Sequence, residues 1–140
     1  MKTILSFQRA SQLALLLFSL LEVFHLSIIL GIVLFDFAPV EYLWGGKMKT
    51  AEELLVFEFI SLIIMTICLL VVLIRTKILR LPKLMKVSRV LLWVLTVIFA
   101  LNTLGNLLAE SSFEKFFAIA TLLLAFISLR MALEPVEVKE

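Results

Sequence analysis

Four long apolar stretches occupy most of this 140-residue chain. They run over about 13–35, 54–74, 90–109 and 113–133. Each holds close to the ~20 residues needed to cross ~30 Å of hydrocarbon. Backbone N–H and C=O groups find no water at that depth, so a run of this length is stable there only as a helix. Composition closes off the soluble alternative. Hydrophobic residues make up 63% of the chain, against about 45–50% in a soluble domain, and mean hydropathy is +1.17. A soluble domain of 15.9 kDa has too little interior to hide that much apolar surface. The expectation is an all-α, four-helix transmembrane bundle, a single integral membrane domain over residues 1–140 with the lipid bilayer as its solvent.

Charge orients the bundle. Arg75, Lys77, Arg80, Lys83, Lys86 and Arg89 fill the segment between the second and third runs, with no acid among them. Lys2 and Arg9 precede the first run, and Arg130 and Lys139 close the chain. Ten of the 13 basic residues thus fall on one side, and Lys47, Lys49 and Lys115 on the other. Asp36, Glu41, Glu52, Glu53, Glu110 and Glu114 collect on that second side. The positive-inside rule then puts both termini and the basic loop in the cytoplasm. The first run is not read as a cleaved signal: it is too long, carries Glu22, and is followed by no small-residue cleavage site. The same six basic residues are candidates to meet anionic lipid headgroups, at about 1 kcal/mol each.

Helix starts agree with this map. Thr50 with Glu53, and Ser111 with Glu114, fit the pattern of a hydroxyl cap followed three residues later by Glu. The first outer loop carries Pro39, Tyr42 and Trp44, suited to the headgroup level, and a Gly45-Gly46 pair suited to a sharp turn.

Polar groups inside the apolar runs are the candidate functional residues: Glu22, His25, Glu58, Asn102 and Asn106. An ionisable side chain at the centre of a membrane helix costs roughly 2.5–3.5 kcal/mol on insertion scales, so it marks a site by default. Counting 1.5 Å per residue from the outer ends, Glu58 lies about 12 Å inward, Asn102 about 10 Å and His25 about 16 Å, with Glu22 a turn deeper. Glu22 and His25 are three apart and share a helix face, where they can hydrogen-bond each other. Asn102 and Asn106 also share a face, as do Glu58, Ser61, Met65 and Cys68. Each group has a structural reading beside the functional one: the Glu and His as a pair that fixes helix docking, the two Asn as interhelical glue. On the fourth helix, Thr121, Ala125, Ser128 and Ala132 form a small-residue stripe, which makes that helix mainly a packing element.

Several chemistries are set aside. Net charge is only +2, so nucleic acid is not an expected partner. One cysteine, Cys68, allows no intrachain disulfide. Glu22-x-x-His25 is one quarter of the carboxylate-bridged di-iron pattern, but the chain has one His and only a symmetric dimer would reach the ligand count. No metal site and no cofactor is expected. No hydrolase motif or phosphate loop is present, so an enzyme is the less favoured class.

The stretch Leu101-Asn102-Thr103-Leu104-Gly105-Asn106-Leu107, followed by Ser112-Phe113-Glu114-Lys115-Phe116, resembles small uncharacterised bacterial four-helix membrane proteins. The Leu43-Trp44-Gly45-Gly46 turn ahead of Glu52, Glu53 and Glu58 is similar to theirs as well. The resemblance covers most of residues 41–133 and implies a multi-pass protein of the bacterial inner membrane. It implies no activity and carries over no site residue.

The functional expectation is a small proton-linked or ion-linked transporter or channel-like protein, working as an oligomer. Glu22 and Glu58 would carry protons or cations, His25 would relay them, and Asn102 would hydrogen-bond. The alternative is a non-catalytic interaction or stabilising subunit of a membrane complex, whose polar groups only lock helices together.

Overall fold

A computed structural model of the protein describes residues 5–109 and 112–136. Ser111 of the second expected cap, and Lys2, Glu110 and Lys139 of the charge map, lie outside them. Four α-helices follow one another: α1 Phe7–Phe35, α2 Ala51–Arg75, α3 Met85–Leu108 and α4 Ser112–Leu133. All four are long and apolar enough to cross a bilayer. Short 3₁₀ turns, Trp44–Gly46 and Pro82–Leu84, interrupt the two longer connections.

The helices outrun the apolar stretches at several ends. α1 starts at Phe7 rather than 13 and α3 at Met85 rather than 90. The added turns carry Gln8, Arg9, Lys86 and Arg89, which have good helix propensity but low hydropathy. Hydropathy marks the part of a helix suited to lipid, and the helix itself stops where its backbone is capped. Ser6 caps α1, its hydroxyl accepting from the Arg9 N–H at 3.2 Å. Thr50 caps α2 in the same way for Glu53 N–H at 3.2 Å. The returning Glu53 carboxylate accepts from Lys49 N–H at 2.8 Å, one residue before the cap itself. At the far end of α1, Asp36 turns left-handed at φ 52 and its N–H reaches the Gly31 carbonyl.

Around the bundle the order is α1, α2, α3, α4, with α4 closing against α1. Packing is dense within the α1–α2 and α3–α4 hairpins, thinner between α1 and α4, and thinnest between α2 and α3. The main core lies toward the end that holds the termini. There Ala10, Ala14 and Phe18 of α1 meet Cys68, Val71 and Val72 of α2, Leu92 and Phe99 of α3, and Leu124 and Met131 of α4. A second, smaller core at the opposite end joins only α1, α2 and their loop, through Ile28, Leu43 and Leu54. The two hairpins are therefore sewn together at the termini end and part toward the loop end. α4 buries the largest share of its length. Ala125, Ser128 and Ala132 of its small-residue stripe are buried, as expected of a packing element.

Three arginines hold the termini end. Helix α4 leaves its last carbonyls without intrahelical partners. Arg75 donates to the carbonyls of Met131 (3.4 Å) and Glu134, and Arg89 donates to that of Ala132 at 2.8 Å. Arg130 donates to the Leu5 carbonyl at 2.7 Å and to the Glu134 carboxylate at 2.8 Å. The Arg75 guanidinium also lies 5.3 Å from the centre of the Phe7 ring, a cation–π distance. Cations at a helix C-terminus complement its dipole as well as its free carbonyls.

Candidate functional site

Glu58 sits two turns into α2 and is 1% exposed. A carboxylate this deep needs partners for both oxygens, and the fold supplies them. His25 of α1 places Nδ1 2.7 Å from Glu58 Oε2. The indole of Trp44 donates to Glu58 Oε1 at 3.0 Å. His25 and Glu58 are thus close enough to share a proton, and either ring nitrogen or carboxylate oxygen can hold it. The imidazole rests edge-on to Phe24 at 5.6 Å, and Phe24 in turn contacts Phe117 of α4 at 5.4 Å.

The loop that delivers Trp44 has an unusual backbone. Trp44, Gly45 and Gly46 all take positive φ, at 55, 70 and 64. Glycine tolerates this, but a bulky aromatic residue is a genuine outlier there. Strain of order 1–3 kcal/mol persists only where the surroundings impose it. Here the indole is held by Glu58 and by ring contact with Phe57 at 5.3 Å. The next residue, Gly45, donates its N–H to the carboxylate of Glu114 at the start of α4. The loop therefore spans both hairpins where they part.

Between the hairpins lies a half-open cavity of 540 Å³. Glu58, Ser61, Ile64, Met65 and Cys68 of α2 face Leu95, Ile98, Phe99, Asn102 and Asn106 of α3 across it. α1 contributes Leu21, Phe24 and His25, and α4 contributes Phe117, Thr121 and Leu124. Trp44 and Glu114 stand at its loop end. The volume falls within the range of ~300–1,000 Å³ typical of small-molecule sites.

The five candidate residues are distributed unevenly. His25 and Glu58 meet directly, and Asn102 and Asn106 line the same cavity. Asn102 is exposed at the rim, whereas Asn106 is half-buried and donates to the Thr121 hydroxyl at 3.5 Å. Thr121 also accepts from Thr103 at 3.0 Å, so this cluster binds α3 to α4. Glu22 stands apart from the cavity lining. Its Oε1 lies 2.7 Å from the hydroxyl of Thr66, which is also 2.9 Å from the Leu62 carbonyl. One hydroxyl proton cannot serve both acceptors at once. Glu22 and His25 share a face, but each takes its partner from α2 rather than from its neighbour. Among the described residues no three His, Cys, Asp or Glu side chains come together as a metal site.

Three contributors escaped the sequence. Trp44 reads as a headgroup-level aromatic, and nothing in its spacing ties its indole to a glutamate 14 residues on. Thr66 and Thr121 read as ordinary small polar residues, and only their facing across helices gives them roles. Of the six basic residues assigned to headgroups, Arg75 is buried and Arg75 and Arg89 both serve α4 carbonyls. Lys77, Arg80, Lys83 and Lys86 are exposed around the connecting turn.

Comparison of the chain with family models, with curated proteins and with solved structures found no match.

Proposed function

We propose that the protein is a small proton-linked transporter of the bacterial cytoplasmic membrane, with both termini in the cytoplasm. The His25–Glu58 pair would be its proton site and the cavity its substrate chamber. One observation carries this reading: an imidazole and a carboxylate 2.7 Å apart form part of the wall of a 540 Å³ half-open cavity. The imidazole, 15% exposed against 1% for the carboxylate, is the member through which the cavity reaches the pair, and a purely structural pair gains nothing from such access. A proton carrier requires it. Glu22, one turn below His25 and bonded to Thr66, is the next acid in line toward the cytoplasmic half. It serves as a second carrier that the cavity itself does not reach.

Proton flux into liposomes carrying the purified protein tests the proposal. Flux is expected in the wild type and is expected to vanish in Glu58→Gln, whose amide keeps the shape but cannot carry the proton. Flux unchanged in both Glu58→Gln and Glu22→Gln would remove the idea.

The second reading, a stabilising subunit of a membrane complex with a protein partner or a second copy, has its own observation. The α2–α3 seam is the least packed, and Ile64, Ile98 and Leu101 are exposed along it. That reading expects the same variants to lose partner recovery or stability with no flux in any of them.

A further inference from the structure

The cavity is graded along the helix axes. Glu114, Asn106, Asn102, Glu58, Thr121 and His25 all lie within about 15 Å of the loop ends of their helices, by 1.5 Å per residue. Leu21, Met65, Leu95 and Leu124 line its deeper end. A lipid of the leaflet on that side has the same grading, polar head outward and chain inward. The rim has the matching opening, because Ile64, Leu101 and Asn102 on the sparse α2–α3 seam are exposed where a bilayer would lie.

Charge then selects the head. Among the described residues, two carboxylates, Glu58 and Glu114, line the cavity against one imidazole, and no lysine or arginine does. His25 is already bonded to Glu58, so a phosphate or sulfate head would meet like charge with no other cationic side chain among the described lining residues. An ammonium brings three donors. Glu58 is 1% exposed and bonded at both oxygens, so it acts on the head as a charge behind the wall, while Asn102 and Asn106 offer the bonds. The rings of Phe24, Trp44, Phe113 and Phe117 add faces that attract a cation.

Resting on the transporter reading for the site, we propose that the cavity binds a single-chain amphiphile with an ammonium head, taken laterally from the loop-side leaflet between α2 and α3. Its chain lies toward Leu95 and Leu124, and its head lies at Asn102 and Asn106, with the Glu58 carboxylate behind them.

Gly105 provides a clean test. It lines the cavity, and a Cβ built there meets nothing within 4 Å. Gly105→Phe therefore starts its side chain in open space at the cavity wall, and is the variant chosen to obstruct the mouth. The chain has two tryptophans, so Trp93→Phe leaves Trp44, on the cavity wall, as the only fluorophore of its kind. The full chain in phosphatidylcholine vesicles is titrated with a chain-brominated dodecylamine, and separately with the equally brominated alkyl sulfate and alcohol. Saturable Trp44 quenching is expected from the amine at concentrations at least tenfold below the other two. It should be lost in Gly105→Phe, whose unliganded emission stays unchanged, and should need about tenfold more amine in Glu58→Gln. Equal quenching by all three heads, or amine quenching untouched by Gly105→Phe, would overturn the proposal. So would protein–protein cross-links through the seam that Gly105→Phe abolishes, since a second copy would then be the occupant. Proton flux is read separately, so amine binding without flux would remove only transport, and flux without head-group preference only the amphiphile.

Discussion

At the residue scale the Glu58 carboxylate is the group on which most depends. Its two oxygens are held by two segments far apart in sequence, so truncating it leaves His25 and Trp44 without their partner. Breaking a buried pair by removing one member costs about 3–5 kcal/mol. Glu58→Ala is accordingly expected to destabilise the protein by about that much, and Glu58→Gln by distinctly less, in reversible unfolding from mixed micelles. Trp44→Phe keeps the ring but removes the N–H. A hydrogen bond to a charged group is worth ~1.5–3 kcal/mol, and the same unfolding measurement should show a loss in that range. A loss close to zero would mean that the loop is held by ring contact alone.

At the element scale the arginines around the last turn of α4 offer the sharpest prediction. Arg75 reaches the carbonyls of Met131 and Glu134 and stacks on Phe7, so it joins α1, α2 and α4 at one point. Arg75→Met retains the apolar stem and loses the donors. Amide hydrogen exchange in residues 128–133 is expected to rise at least tenfold, while exchange near Glu58 stays unchanged. The elements themselves were largely legible in the sequence. The number of helices, the Thr50 cap and the packing role of α4 follow from hydropathy, cap chemistry and small-residue spacing, all of which are local. α1 and α3 begin six and five residues before their apolar spans, because polar helix formers extend a helix past its apolar part.

At the scale of the whole molecule, the positive-inside assignment predicts that a fluorescent protein fused after Glu140 is bright and an alkaline phosphatase fused there is inactive. The opposite pattern would place the termini outside and turn the cavity toward the cytoplasm. The site was only half legible. Burial depth in the sequence ranked Glu58, Asn102 and His25 at similar levels, and the structure brings them to one cavity. Sequence spacing also allowed Glu22 to bond His25, but a shared face on one helix says nothing of what the next helix offers. Nor could periodicity foresee Trp44, whose position depends on a left-handed backbone rather than on a repeat.

The uneven packing of the bundle also bears on how the chain is put together. Each hairpin has its own dense internal contacts, and the two meet mainly at the end where the termini lie. Such an object behaves as two pieces with one seam. A break between Thr76 and Leu81 would cut no helix and would leave both hairpins whole. The halves, made as separate polypeptides in one cell, should find each other in the membrane and co-purify, with the arginines around α4 acting as the clasp.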